Sequence, residues 1–406
     1  MTSETRPSVL IVGAGPVGLM LALLLSNRSI PVHVIDMADT LDARPRATHY
    51  GSPAVHELER AGVLEDVRRQ GHIPRCTMWR KLDGTPLAGL DRSCLDEIDS
   101  IHCLPLDRLG QLLLSRLEKN PLARISWGHK VVEVGQDNDK AWVEVETPEG
   151  RKRLEALYIA GCDGAKSQIR RSLFGDKSML GKTWDHQLVA TNVYYPFEKY
   201  GYSDTNFIID TENWHMAAKI SNDGLWRVTY GDEQGLSTEE LLARQPAKFE
   251  KILPSHPKPG KEYELVSISP YRVHQRRAKS MRVGRICLAG DAAHLCNPFG
   301  GLGLTGGLVD AGALYECLSG IIEGKADESI LDKYSEVRLG AFNSYVDPIS
   351  TNNFLLLQRD PGDPTLLQHP FIQAAKRTAN DVEFSKKFQT LSLQTRVDLT
   401  KFFSSA

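Results

Sequence analysis

Residues 9–12, Val-Leu-Ile-Val, form an uninterrupted apolar run that predicts a short strand buried on both faces. Gly13-Ala-Gly15-Pro-Val-Gly18 follows, and residues 19–25 are then apolar on every side, which predicts a buried helix. Pro16 suits the first turn of that helix, where a missing N–H is no loss. Residues 31–36, Pro-Val-His-Val-Ile-Asp, predict a second strand ending in an acid. This βαβ opening points to an α/β protein with a parallel sheet. Helical spacing recurs over 51–69 and 104–117, while 76–102 between them reads as irregular around the turn Asp83-Gly84. Hairpins are predicted over 131–134 and 141–147, with turns at 136–140 and 148–150, leading into one apolar strand over 154–160.

From about residue 180 the pattern changes to alternation, over 188–195, 206–210, 214–220, 225–230 and 263–269, which predicts an antiparallel second domain. A polar helix over 237–250 interrupts it, opened by a Ser237/Glu240 capping box. Residues 285–289 return to a buried strand, followed by a glycine-rich turn and a helix over about 303–320. The first domain is therefore discontinuous. The stretch after 350 is polar and helical in pattern, with breaks at Pro361, Pro364 and Pro370, and the chain shows no internal repeat.

With 406 residues, two or three domains and a large core are expected. Hydrophobic residues at 41% and charged residues at 25% indicate an ordinary globular chain. Lys+Arg 49 against Asp+Glu 51 leaves a net charge of −2, too little to hold nucleic acid or an anionic bilayer. The 7 cysteines contain no CxxC pair, so neither a disulfide framework nor a metal site is predicted, and a reducing, cytoplasmic setting fits. The uncharged run over 9–25 is broken by Gly13, Gly15, Pro16 and Gly18 and lacks a basic cluster before it, which argues against export or a membrane span.

Three segments carry chemistry. Gly13-x-Gly15-x-x-Gly18 lies between a strand and a helix, with Asp36 ending the next strand. Gly13 permits a tight turn, Gly15 lets backbone approach a diphosphate, and Gly18 allows close helix–strand packing; the carboxylate suits a ribose hydroxyl. The pattern alone does not separate NAD from FAD. Asp163, in Gly161-Cys-Asp-Gly164, and Asp291, in Gly290-Asp-Ala-Ala-His294, each end a buried strand, where ligands of open α/β sheets collect.

Together and in this order, these segments resemble the group A FAD-dependent monooxygenases, the para-hydroxybenzoate hydroxylase-like aromatic hydroxylases, over about residues 9–338. Residues 225–232 and 271–310 look most like fungal-type members. The resemblance implies a Rossmann-like FAD-binding domain of the glutathione-reductase kind, parallel sheet plus β-meander, from 1–75, 103–178 and 283–345. It also implies an antiparallel substrate domain from 76–102 and 179–282, and a helical C-terminal segment over 346–406. It implies non-covalent FAD, NADPH or NADH, O2 and a small aromatic substrate. The reaction would be hydroxylation of a phenolic or other electron-rich aromatic or heteroaromatic ring through a flavin C4a-hydroperoxide. The expected protein is a monomer or homodimer that needs no metal.

The same resemblance nominates Arg46 and Arg108 as flavin-side arginines, with solvated surface charge as the alternative. Where relatives often carry Gln, this chain has Leu106. Residues 301–306 spell a second GxGxxG, but too far from its strand to open a Rossmann unit. In the family this backbone, here Gly301, Leu302, Gly303 and Leu304, meets the flavin ring, and N–H groups at a helix start stabilise negative charge there. Thr305 replaces a common Asn. Arg227 and Thr229 share one strand face. Arg227 matches an arginine near flavin and substrate, against the alternative of a rim salt bridge. His215 is a candidate to assist phenol deprotonation, with an exposed strand histidine as the equal alternative. Ile208 falls near the place of the family's activating tyrosine, leaving Tyr194, Tyr195 and Tyr271 as alternative wall residues. Pro298 corresponds to a proline whose carbonyl approaches the substrate hydroxyl.

Two near-motifs fail. Gly175 to Gly181-Lys-Thr has the wrong spacing for a phosphate loop, and His56-Glu57 lacks the second His of a zinc pair. The basic residues Arg276, Arg277, Lys279, Arg282 and Arg285 read as a solvated loop, with a cofactor-phosphate site as the minority reading. A halogenase or epoxidase on the same fold, a non-catalytic FAD-fold binding protein and a plain NAD dehydrogenase are the competing functions. Substrate identity and regiochemistry are not legible.

Overall fold

The computed structural model describes residues 7–42, 47–258 and 262–404. Its first sheet has six strands in the order Arg282–Val283, Ile286–Leu288, Tyr158–Gly161, Val9–Val12, Val32–Ile35 and Ala123–Ser126; only the first of these is antiparallel to its neighbour. The residues of Val9–Val12 are all buried, as an all-apolar strand covered on both faces should be. Helix Pro16–Asn27 starts on Pro16 and packs against helices Leu106–Leu117 and Leu302–Ile322. Its Leu19, Leu21 and Leu25 are fully buried, each contributing roughly 1.5–3 kcal/mol by leaving water. A three-stranded meander, Lys130–Gln136, Ala141–Thr147 and Gly150–Ala156, abuts this sheet.

The second sheet has eight strands in the order His294–Leu295, Glu264–Ala278, Met179–Tyr194, Leu225–Asp232, His215–Lys219, Thr205–Ile209, Cys76–Lys81 and Pro86–Asp91. One face is closed by helix Thr238–Ile252, whose capping box at Ser237 and Glu240 forms as expected. Trp226, Val228 and Tyr230 pack beneath that helix, so alternation places Arg227, Thr229 and Gly231 on the opposite, inner face.

The fold corrects several expectations. Residues 76–91 are not irregular, though 92–101 are: Cys76–Lys81 and Pro86–Asp91 form a hairpin around Gly84, at φ +87°, and complete the second sheet. The apolar run 154–160 is two strands, because the chain changes sheets at Leu157. The helical spacing over 51–69 is two helices, Ser52–Arg60 and Leu64–Gln70, broken at Gly62, where φ is +73°. Strands Met179–Tyr194 and Glu264–Ala278, antiparallel neighbours, extend well beyond their apolar cores as a long polar two-stranded ribbon. No helix among the described residues is long and apolar enough to cross a membrane. All 7 cysteines are free.

Candidate functional site

Parallel pairing aligns Val12 with Gly161 and Gly161 with Leu288, so the loops that follow leave the sheet side by side. Adjacent strands are about 5 Å apart, which brings Gly13, Asp163 and Asp291 to one edge. The packing between these loops dictates the glycines. A Cβ on Gly13, at φ +110°, would sit 2.3 Å from the Cys162 carbonyl oxygen, and one on Gly18 would sit 2.0 Å from that of Gly13. Gly15 differs: a Cβ there would meet nothing within 4 Å. It precedes helix Pro16–Asn27 with no side-chain cap, leaving that helix's first N–H groups directed at open space. Asp36 accepts from the Ala14 N–H at 2.7 Å and the Ala38 N–H at 2.8 Å, joining the first loop to the second strand's end.

One oxygen of Asp163 accepts from the Gln168 and Ile169 N–H groups at 2.7 and 3.1 Å, capping helix Gln168–Phe174. Its other oxygen is buried without a hydrogen-bond partner. Burial pushes the carboxyl pKa up, against the lowering effect of Ser167 and the backbone donors. From the same segment Arg170 donates to the Ala292 carbonyl at 2.8 Å, tying the second loop to the third. Asp291 is exposed in a short turn after Gly290, whose φ of +62° and 2.8 Å Cβ approach to Val17 exclude a side chain.

Gly301, at φ +62°, starts helix Leu302–Ile322 without a side-chain cap. Thr305 donates to the Gly301 carbonyl and accepts from the Gly51 N–H, both at 2.9 Å, so it ties this helix to the loop before Ser52. Deeper in the helix, Asp310 is fully buried. One of its oxygens accepts from the Gly290 N–H at 2.8 Å and pairs with His294 Nε2 at 2.7 Å; the other accepts from Arg338 Nε at 2.6 Å. Burial alone would raise its pKa, but the charges and hydrogen bonds of His294 and Arg338 bring it down to about 2.

On the inner face of the second sheet, Arg227 lies between Asn192 and Ala218 in register and donates from Nε to Asn192 Oδ1 at 3.0 Å. The next row is Ala190, Thr229 and Met216, and beyond it come Leu188 and Gly231, with Tyr271 beside Leu188. Trp214 lies over Gly231, where a Cβ would come within 2.1 Å of its ring. Ala190, Met216, Arg227 and Tyr271 keep partial exposure on this face beside the buried Leu188, Asn192 and Thr229, and Ser269 next to Ala190 is exposed, so these residues mark a candidate cleft. Burial lowers the Arg227 pKa, with Tyr271 and Cys103 opposing, and raises that of Tyr271. His49 adjoins the same cleft. Its Nδ1 meets the Thr48 hydroxyl at 2.8 Å and its Nε2 is buried without a partner. Burial, aided by His72, Arg227 and Arg92, lowers its pKa to about 3.

His215 is not an exposed strand histidine. It is fully buried on the opposite face from Arg227, bonded to the Asn213 carbonyl at 2.7 Å, with its pKa lowered by burial to about 4. Ile208 and Tyr195 also pack on that helix-covered face, and Tyr194 pairs with Asp223. Arg108 is exposed on the first turn of Leu106–Leu117, and Arg46 lies outside the described residues. Pro298 and Gly303 keep partial exposure, and Leu302 is buried. The basic residues at 276–285 are not a free loop: Arg276 and Arg277 end a strand, Arg282 pairs with Asp332 and Arg285 with Glu328. His49, Asn192, Asp310 and Arg338 carried no periodic or motif signal in the sequence.

Residues 6–347 match the family model described as FAD binding domain. Over 362 residues, 88% of this chain and 89% of the relative, the chain is 38% identical to a para-nitrophenol 4-monooxygenase of Pseudomonas sp. (strain WBC-3). It is 35% identical over 364 residues, covering 88% of this chain and 91% of the relative, to the 6-hydroxy-3-succinoylpyridine 3-monooxygenase HspB of Pseudomonas putida (strain DSM 28022 / S16). The crystal structure of p-nitrophenol 4-monooxygenase PnpA from Pseudomonas putida DLL-E4 superposes with a TM-score of 0.90 at 34% identity, covering 96% of this chain and 98% of that one.

Proposed function

The chain belongs to the FAD binding domain family and is a flavin-dependent aromatic monooxygenase, and from that premise we propose that it oxygenates a ring carbon para to a hydroxyl group and already bearing an electron-withdrawing substituent. The support lies in what the two relatives' names have in common. Position 4 of para-nitrophenol bears the nitro group, opposite the hydroxyl; position 3 of 6-hydroxy-3-succinoylpyridine bears the succinoyl group, opposite the 6-hydroxyl. With a nitro substituent the reaction balances as nitrophenol, O2, NAD(P)H and a proton giving benzoquinone, nitrous acid, water and NAD(P)+, the nitro group leaving with the ring–nitrogen bonding pair.

The residues present fit FAD. Gly15 faces open space at an uncapped helix start, Gly301 offers a second one, and the bare buried oxygen of Asp163 lacks a donor. In this reading Gly13, Gly15 and Gly18 admit the diphosphate, Asp36 takes the ribose, and Asp163 and Asp291 flank the rest of the cofactor. Gly301, Leu302, Gly303 and Leu304 would offer backbone N–H groups to the flavin ring, with Arg108 on the same side; Arg46, proposed for that side too, lies outside the described residues. Bound there, FAD would supply two-electron transfer from NADPH or NADH and transfer of one atom of O2 to the substrate. Arg227 holds the substrate oxygen as phenolate, favouring loss of the proton, and the Pro298 carbonyl accepts from the hydroxyl before that loss. The inner sheet face excludes water. His215, on the far face, takes no part.

NAD(P)H and O2 as co-substrates, a cytoplasmic setting, a monomer or homodimer, and the division into 1–75, 103–178 and 283–345 against 76–102 and 179–282 belong to the same proposal. The relatives named are bacterial and lend no support to a fungal affiliation. Their names do not favour a halogenase or a non-catalytic binding protein. The test is NAD(P)H consumption by the FAD-loaded enzyme across phenols with and without a para substituent, with assays for the released group and for quinone or hydroquinone. Oxygenation confined to unsubstituted ring carbons would overturn the para reading.

A further inference from the structure

The family match ends at residue 347, yet the helix that begins there, Asp347–Leu357, reaches the loop around Pro298. Pro298 has no N–H, so its peptide must be fixed through its neighbours. Its carbonyl accepts from the Gly301 N–H at 3.1 Å, which closes a turn and leaves a second lone pair available. Asn297 donates twice to Gln275 Oε1, at 3.2 and 3.1 Å, and accepts from the Phe299 N–H at 3.1 Å. Gln275 in turn donates to Ser350 Oγ at 2.8 Å. Asn353 donates to the Phe299 carbonyl at 2.9 Å, and Phe354 stacks on the Phe299 ring at 5.4 Å and 11°. Phe299 is thus held at its N–H, its carbonyl and its ring, and two of these three restraints involve helix Asp347–Leu357.

We propose that helix Asp347–Leu357 belongs to the active site, with Asn353 a positioning residue that aims the Pro298 carbonyl at the substrate hydroxyl. This rests on the reading of the Pro298 loop given above. Losing one such partly buried hydrogen bond corresponds to roughly a 2- to 12-fold change in a binding constant.

The experiment compares wild type, Asn353→Ala and Asn353→Asp as FAD-loaded enzymes. It reads the visible spectrum of bound FAD with and without a para-substituted phenol, the substrate Kd from that spectrum, and the fraction of NAD(P)H electrons recovered in product rather than H2O2. Expected are retained FAD, a substrate Kd raised 2- to 12-fold, and a product fraction below half of wild type, with Asp worse than Ala because its carboxylate faces a carbonyl. Kd and product fraction within 1.5-fold of wild type in both variants overturn the proposal, even if thermal stability falls. Should neither variant fold, Ser350→Ala decides: it frees Gln275 without touching Phe299 and must lower the product fraction. If wild type couples to no para-substituted phenol, the functional reading fails instead. The clamp is then judged on the spectrum of bound FAD, which Asn353→Ala must alter.

Discussion

Asp310→Asn tests how the loop carrying Asp291 is held. Asp310 receives three donors on two oxygens: the Gly290 N–H and His294 on one, Arg338 on the other. Asparagine offers one oxygen and one NH2, so whichever way it turns, a donor faces a donor. If the oxygen stays toward Gly290, the Arg338 guanidinium is left buried beside an amide with its charge uncompensated. Breaking a buried pair from one side costs about 3–5 kcal/mol. The fall of the Asp310 pKa from 3.8 to about 2 corresponds to about 2 kcal/mol at neutral pH, the same order. Unfolding entropy of about 2.1 cal/mol/K per residue then converts 3–5 kcal/mol into a drop of roughly 4–6 °C in the thermal midpoint. Because Gly290 precedes Asp291, FAD affinity should fall as well, by roughly 10-fold if one backbone restraint is lost. Calorimetry and FAD titration of the purified variant check both. A midpoint within about 1 °C of wild type together with unchanged FAD affinity would refute the reasoning.

The roles of the first two fingerprint glycines separate experimentally. Gly13→Ala places a Cβ 2.3 Å from a carbonyl oxygen at φ +110° and should destabilise the fold, whereas Gly15→Ala meets no protein atom within 4 Å and should keep its midpoint while losing FAD affinity roughly 10-fold or more. Arg227→Ala should retain FAD, seen as an unchanged flavin content, but lose roughly 100-fold in kcat/KM for a phenol; full activity would remove Arg227 from the cleft. His215 has a folded pKa of about 4 against 6.5, so the unfolded chain binds its proton first. Stability from this group is intact above pH 6.5 and falls by about 1.4 kcal/mol per unit as pH drops toward 4. His215→Gln should flatten that part of the stability–pH curve and leave activity unchanged; a loss of activity in a well-folded variant would place His215 in the chemistry after all.

The legible parts of the site were those in which backbone geometry dictates residue type. Gly13 and Gly18 have no alternative because carbonyl oxygens occupy the Cβ positions, and Asp163 follows a strand whose neighbours are fixed by parallel register. Alternation also placed Arg227 and Thr229 together on one face. It could not say which face of which strand turns inward: His215 shares a face with Ala217 in any register, and only helix Thr238–Ile252 decides that this face is the covered one. The hairpin at 76–91 escaped notice because its residues mix charge, glycine and proline, and its strand character comes from pairing with Thr205–Ile209. His49 and Asn353 have no sequence signature, since a single polar residue declares its role only through what it faces.

The arrangement of helix starts shows how these pieces act together. Helix Gln168–Phe174 is capped twice, by Ser167 and by Asp163, so its positive end is already satisfied by protein. Helices Pro16–Asn27 and Leu302–Ile322 begin at Gly15 and Gly301 with no side-chain cap, and both glycines face open space. Uncapped N–H groups attract negative charge only if the loops around them stay in place. Their rigidity comes from behind: Val17 beneath Gly290, Arg170 on Ala292, Thr305 on Gly51, and Asp310 between Gly290 and Arg338. None of these contacts uses the free N–H groups of the two helix starts, so on the proposed assignment those groups would remain for the phosphates and ring of the cofactor.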